Sequence, residues 1–427
     1  MQPDRGRVVN AGTASRLPRS LTLLFAVASG LAVANAYFAH PLLDQMSKDL
    51  ALPRATVGLV VGVTQVGYGL GLILLVPIGD LIDRRKLVVG QTLLSVVALI
   101  SVGLSTTGAM LLVSMAAMGL FAVVTQAFVA YAASLARPAE RGQVIGVVTS
   151  GIVIGILLAR TVAGALADLS GWRTVYLVSA GLTLLTAALL FKVLPPQEQP
   201  AQRLSYPRLL GSLFTLFMEE PVLRIRAVIA MLIFADVTTL LTPLVLPLSA
   251  PPFSLSHAAI GMFGLAGAAG ALGAARAGRW VDMGLGQRTT GVALALMLLA
   301  WLPISLLPHS ILWLIAGVLI LDFGLQAVHV TNQGMIYRVK PEAQSRLTAS
   351  YMVFYSIGSA VGSSSSTIVY AHAGWSGVSL LGAAIAVLAL VFWAVTLRAT
   401  PAAAYAPIVG AASVASPEPD ETDTAAA

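Results

Sequence analysis

Long apolar stretches separated by short polar ones run from residue 20 to residue 398, without the two-residue alternation of a barrel strand. Most reach the roughly 20 residues that a helix needs to cross a bilayer core. Unbroken runs of this kind predict helices, because backbone groups in lipid must bond within their own segment. Six spans fall at 20–43, 55–78, 87–107, 109–134, 143–167 and 174–194, and six more at 227–248, 256–277, 289–308, 311–335, 346–371 and 375–398. The two sets share their punctuation. Gly79-Asp80-Leu81-Ile82-Asp83-Arg84-Arg85-Lys86 follows the second span, and Gly278-Arg279-Trp280-Val281-Asp282 follows the eighth. Gly151, Gly155 and Gly171-Trp172 in and after the fifth correspond to Gly358, Gly362 and Gly374-Trp375 in and after the eleventh. The pattern predicts an all-α polytopic membrane protein of two pseudo-symmetric six-helix bundles, the architecture of a carrier that rocks one half against the other.

Charge adds orientation. Only 10% of the 427 residues are charged, against roughly a quarter in soluble proteins, and 57% are hydrophobic. Loops on one side hold 21 Lys and Arg, those on the other hold three, and Arg160 lies within a span. By the positive-inside rule both termini are cytoplasmic in a multi-pass inner or plasma membrane protein. The net charge of +7 is spread over membrane-flanking loops and does not indicate nucleic-acid binding. Residues 1–19 read as a cytoplasmic segment, 20–194 and 223–398 as the two bundles, and 195–222, with five prolines, as a cytoplasmic linker. The Ala-, Pro- and acid-rich residues 399–427 read as a disordered tail. Arg16 and Arg19 before an apolar run and Ala34-Asn35-Ala36 also mimic a signal peptide. Cleavage there would break the duplication.

The stretch Gly79-x-x-x-Asp83-Arg84-Arg85-Lys86 resembles the loop signature of the major facilitator superfamily, with a weaker copy at Gly278 and Asp282 followed by Arg288. Leu87 and Val88 stand where that signature has a glycine and further bases. The resemblance implies twelve helices, a gating loop in which Asp83, Arg84 and Arg85 latch the halves, and transport by alternating access. The bases also serve as orientation charges. The fifth span resembles the glycine-rich segment of the family's exporters through Gly151, Gly155 and Gly164, with Arg160 where proline is usual. In the fourth span Gln126 fits a family motif, but Val123 replaces its arginine and Ala127 its glycine. The segment Asn35 to Leu43, containing Tyr37 and His40, resembles the first helix of bacterial drug-efflux-like carriers of the drug:proton antiporter type. Asp322 through Gln333 resembles their tenth helix.

Ionisable groups within the hydrocarbon are costly and point to function. Asp236 lies about ten residues into the seventh span and Asp322 about twelve into the tenth, hence roughly 15 and 18 Å deep. The resemblance places both helices on the transport path, where a carboxylate in low-dielectric surroundings can exchange protons near neutral pH. Asp322, Gln326, His329 and Gln333 fall on one helical face, with Asn332 beside them. This stripe is either a proton path and binding face or a hydrogen-bonded packing network. Arg160 either pairs with an acid, binds an anionic substrate or snorkels. Asn35, Tyr37, His40 and Gln126 are further cavity candidates, and His40 before Pro41 reads equally as structural. Asp168 is expected to cap the turn after the fifth span. His257, His309 and His372 receive no role.

No phosphate-binding loop, nucleophile elbow or helical metal-ligand pair occurs, so neither enzyme chemistry, a metal nor a cofactor is expected. The expected partners are a small-molecule substrate, protons and the bilayer, with the carrier working as a monomer. The function read here is proton-coupled export of small organic or amphipathic molecules. The alternatives are proton-coupled import of an organic acid or other small metabolite, or a receptor on a carrier fold, for which the linker and tail offer no folded domain.

Overall fold

The computed structural model describes residues 18–137, 140–195, 205–340 and 344–400. The N-terminal segment and the acidic tail fall largely outside these residues. Among the described residues the secondary structure is helical and no strand occurs. The first half comprises α1 (Arg19–Ala34), α2 (Ala39–Asp49), α3 (Leu59–Leu74), α4 (Arg84–Gly103), α5 (Gly108–Ala122), α6 (Val124–Leu135), α7 (Arg141–Ser170) and α8 (Trp172–Val193). After α9 (Tyr206–Glu219), the second half comprises α10 (Pro221–Leu241), α11 (Val245–Ser249), α12 (His257–Gly261) and α13 (Gly267–Asp282). It ends with α14 (Gly286–Ser305), α15 (Ile311–Val339) and α16 (Gln344–Thr396).

Ten stretches among the described residues are long and apolar enough to cross a membrane. The last, Arg346–Ala399, has 54 residues and turns at Gly374, so it holds two crossings. The broken pair α12 and α13 supplies the remaining one, and the count agrees with twelve. Large apolar side chains on α8 and the second arm of α16, among them Leu184, Leu185, Val391 and Val395, are exposed. In water such faces would demand a partner; here they face lipid.

The duplication read from glycines and tryptophans is a duplication of packing. Gly151 and Gly155 on α7 meet the backbone of Ala26 and Gly30 on α1, and Gly358 and Gly362 on α16 meet that of Met231 and Ala235 on α10. A Cβ at any of the four would collide with a carbonyl oxygen of the neighbouring helix. Small residues are what allow such contact between membrane helices. Gly171 and Gly374 turn the chain with φ of 80° and 60°, a region open mainly to glycine. The tryptophan after each is buried and anchored. Trp172 Nε1 donates to Asp49 at 2.9 Å, and Trp375 Nε1 donates to the Ile304 carbonyl at 2.9 Å. Between the halves, α3 lies along α16 and α7 along α12.

Several boundaries differ from the sequence reading. The first span continues through a 3-10 turn, Asn35–Tyr37, into α2, and the fourth breaks between α5 and α6. The seventh begins at Pro221, since proline at the first helical position loses no hydrogen bond. Arg226, counted from the sequence among loop cations, therefore sits inside α10 with 0% exposure. Arg276, Arg279 and Arg338 likewise belong to α13 and α15. Part of the expected linker forms α9, which buries Leu209 and Leu216 and exposes Phe214 and Met218. Its Tyr206 hydroxyl donates to the Leu74 carbonyl at 2.8 Å.

Candidate functional site

The break that ends α1 places Tyr37 at the seam between the halves. Its hydroxyl lies 2.9 Å from that of Tyr355 on α16, a hydrogen bond joining residues 318 positions apart. The Arg160 guanidinium, carried by α7, sits over the Tyr37 ring at 5.4 Å from its centroid. Cation–π contacts of this kind contribute about 0.5–2 kcal/mol, more where water is excluded. Asp322 on α15 lies within the electrostatic reach of Arg160. The two form no direct ion pair, and the Arg160 Nε is buried without a hydrogen-bond partner. Around them, the Tyr355 ring packs edge-on against Phe234 at 4.1 Å and Tyr68 at 6.4 Å. Gln126 donates to the Tyr68 hydroxyl at 3.4 Å. His40 stacks beside Tyr37 with centroids 6.1 Å apart, and its Nδ1 lies 3.4 Å from the Tyr37 carbonyl. One cation from the first half and one carboxyl from the second thus interact through their fields, near Tyr37, Tyr355 and Phe234.

The other polar candidates are held inside one bundle. Asp236 accepts a hydrogen bond from Trp301 Nε1 at 2.8 Å, so its carboxyl is engaged by α14 inside the second half. Its other oxygen is buried without a partner. The members of the face formed by Asp322, Gln326, His329 and Gln333 have different neighbours. Gln326 packs beside Gly270 of α13, whereas His329 Nδ1 lies 3.0 Å from the Tyr351 hydroxyl with its ring edge-on to Phe234. Asn332 is fully buried. It donates to Tyr351 and accepts from Arg226, whose guanidinium also reaches Thr290 at 3.1 Å. Gln333 is half-buried and makes no hydrogen bond among the described residues. Asn35 accepts from Ser179 at 2.6 Å inside the first bundle. Asn35 and Asn332 thus bond within their own halves.

Comparison with known proteins agrees with this architecture. The family model described as Major Facilitator Superfamily matches residues 25–344 and 227–417. The chain belongs to that superfamily. It is 47% identical over 377 residues to the uncharacterized transporter YgaY of Escherichia coli O157:H7, covering 88% of this chain and 95% of that one. It is 26% identical over 398 residues to the inner membrane transport protein YnfM of Escherichia coli K12, covering 91% and 92%. The fold matches a bacterial homolog of the human lysosomal transporter Spinster, in an inward-facing and unoccupied conformation, with a TM-score of 0.72 at 13% identity. That match covers 91% of this chain and 98% of the other. The protein is accordingly a multi-pass membrane transporter, of a family of carriers and not of enzymes.

The loop that the sequence marked for gating makes bonds within its own half. Asp83 is the N-cap of α4 and accepts from the Arg85 amide at 2.7 Å. Arg84 reaches the Ala130 carbonyl at 3.4 Å, and Arg85 donates to the Phe191 carbonyl while stacking on its ring. Gly79 packs by Leu87, and Gly278 approaches Val330. The Asp282 side chain lies outside the described residues. Sequence reasoning missed Tyr68, Phe234, Tyr351 and Tyr355, since an aromatic residue in an apolar span carries no sign of what it faces. Arg226 was missed because a cation near a span end reads as a loop charge. Asp168, expected to cap its own turn, binds the other half instead, at the backbone amides of His257 and Ala258.

Proposed function

We propose that this chain is a proton-coupled secondary transporter that exports small organic or amphipathic molecules by alternating access around Arg160 and Asp322. The observation that carries the reading is the meeting of these two opposite charges from opposite halves, without a direct ion pair, beside the Tyr37–Tyr355 bond. A half-buried cation whose Nε is buried without a partner is costly. A substrate group or a change in Asp322 protonation alters that cost, and so the balance between the two states of the carrier. The aromatic rings suit the apolar part of an amphipathic molecule. Asp322 is the proton-coupling group, with Tyr37, Tyr68, Gln126, Arg160 and Tyr355 around the substrate and His40 behind Tyr37. Both termini are cytoplasmic, residues 195–222 link the halves, and the protein works as a monomer in the inner membrane.

The buried Arg160 Nε also favours a second reading, in which the arginine binds the carboxylate of an organic acid carried inward with protons. The test is proton movement in vesicles loaded with a pH-sensitive dye, on adding a panel of amphipathic amines, sugars and organic acids. Compounds that move protons through the wild type should fail to do so through Asp322→Asn, while still binding in detergent. Full proton movement in that variant overturns the assignment. A response confined to organic acids replaces export with the second reading.

A further inference from the structure

The two halves also touch through a clasp about two helical turns along α7 from Arg160. Asp168, near the end of α7, projects its carboxylate onto the start of α12 in the other half. One oxygen accepts from the His257 amide at 3.1 Å and lies 2.7 Å from His257 Nδ1; the other accepts from the Ala258 amide at 2.9 Å. A single carboxylate thus satisfies two of the amides that a helix start leaves without partners, with the helix dipole in its favour. Gln45 on α2 lies 3.3 Å from the same His257 nitrogen.

The approach that permits these bonds is built into the backbones. A Cβ on Gly164 would collide with the His257 carbonyl, and one on Gly261 with the Arg160 carbonyl. The Thr161 hydroxyl adds a bond to the Gly261 carbonyl at 3.2 Å. At the same end, the Thr367 hydroxyl on α16 donates to the Ala55 carbonyl at 3.1 Å, closing the second seam. At the opposite end the Asp83 loop bonds within its own half.

We infer that Asp168 is the gate residue of this end. Its carboxylate, capping α12 across the seam, holds the carrier closed there, and the alternate state forms only when that contact is released. The inference rests on the alternating-access part of the proposed function and on nothing in its substrate or proton chemistry. Losing Asp168 therefore shifts the carrier toward opening at this end whether or not Asp322 couples protons.

The chain contains no cysteine, so one introduced thiol reports alone. Ile260 on α12 lies just inside the clasp and is 4% exposed, while Ala28 on α1 is buried inside the first bundle at 2%. In lipid nanodiscs, a membrane-impermeant maleimide reacts slowly with Ile260→Cys and with Ala28→Cys in the otherwise native chain. Adding Asp168→Ala should speed labelling at Ile260→Cys about ten-fold, the shift expected from losing charge-assisted hydrogen bonds, and leave Ala28→Cys unchanged. Asp168→Glu, which keeps the carboxylate, should restore most of the protection. No acceleration at Ile260→Cys overturns the inference. Equal acceleration at both sites also overturns it, since Asp168 would then only stabilise the fold. Altered proton coupling in Asp322→Asn bears on the proposed function alone and leaves this result untouched.

Discussion

Arg160 and Asp322 contrast with Arg226 and Asp236. All four are ionisable groups within long apolar helices, Arg226 and Asp236 fully buried and Arg160 and Asp322 half-buried. The first pair is divided between the halves, with an aromatic contact for one and only the opposing field for the other. The second pair lies within one half. Arg226 reaches Thr290 and Asn332 through one nitrogen, its other two being buried without partners, and Asp236 accepts from Trp301 on one oxygen. A partner inside a rigid bundle stays in place when the halves move, so those bonds contribute to folding. A partner across the seam changes with the motion, so its energy enters the balance between states. Under the proposed function, position relative to the seam separates a transport group from a packing group.

Substitutions at four positions sharpen or break that contrast. Asp322→Asn has the largest expected effect: proton movement in dye-loaded vesicles should disappear while the thermal midpoint in detergent stays near that of the wild type. A fall in the midpoint with coupling intact would make Asp322 another packing group. Trp301→Phe should act in the opposite sense, leaving Asp236 without its donor and lowering stability by about 1–3 kcal/mol. Proton coupling should survive, as a paired thermal and vesicle measurement would show. Loss of coupling in this variant would return Asp236 to the transport path.

Tyr355→Phe removes one hydroxyl bond across the seam. Hydrogen bonds between membrane helices average about 0.6 kcal/mol, so the thermal midpoint should barely move. The distribution between states, read by labelling of Ile260→Cys, should change up to about three-fold, in line with that energy. The smallest stability change is expected for Asp83→Asn, because asparagine caps a helix start about as well as aspartate. Asp83→Ala should cost about 1 kcal/mol. A transport rate that falls in Asp83→Asn at unchanged stability would assign the loop a latching role in the alternate state.

Much of the fold was legible because its causes are local. Apolar length dictated crossings, since lipid leaves the backbone no other way to satisfy its hydrogen bonds. The repeat of Gly151 and Gly155 in Gly358 and Gly362 was legible, and the structure shows what it permits, the close approach of α7 to α1 and of α16 to α10. Gly171 and Gly374 marked the corners through their backbone freedom. Arg160, Tyr37 and Asp322 stood out as polar or mixed groups in an apolar setting, and the structure brings them together.

What the sequence left open was the direction in which each side chain points and what meets it from distant parts of the chain. Helical spacing put Asp322, Gln326, His329 and Gln333 on one face, but α10, α13 and α16 cover that face unevenly, so its members have different partners. Asp236 and Asp322 looked alike by depth, and only the reach of Trp301 from α14 gave the first a donor. Asp168 reads as a local cap because local amides are all that a sequence offers. The amides it binds are 89 and 90 residues away, on a helix brought near by the docking of two halves. The sequence determined the crossings, their repeat and their close contacts, since these follow from short-range sterics and the solvent. Tertiary structure decided which buried polar groups span the seam, since that depends on contacts between residues far apart in the chain.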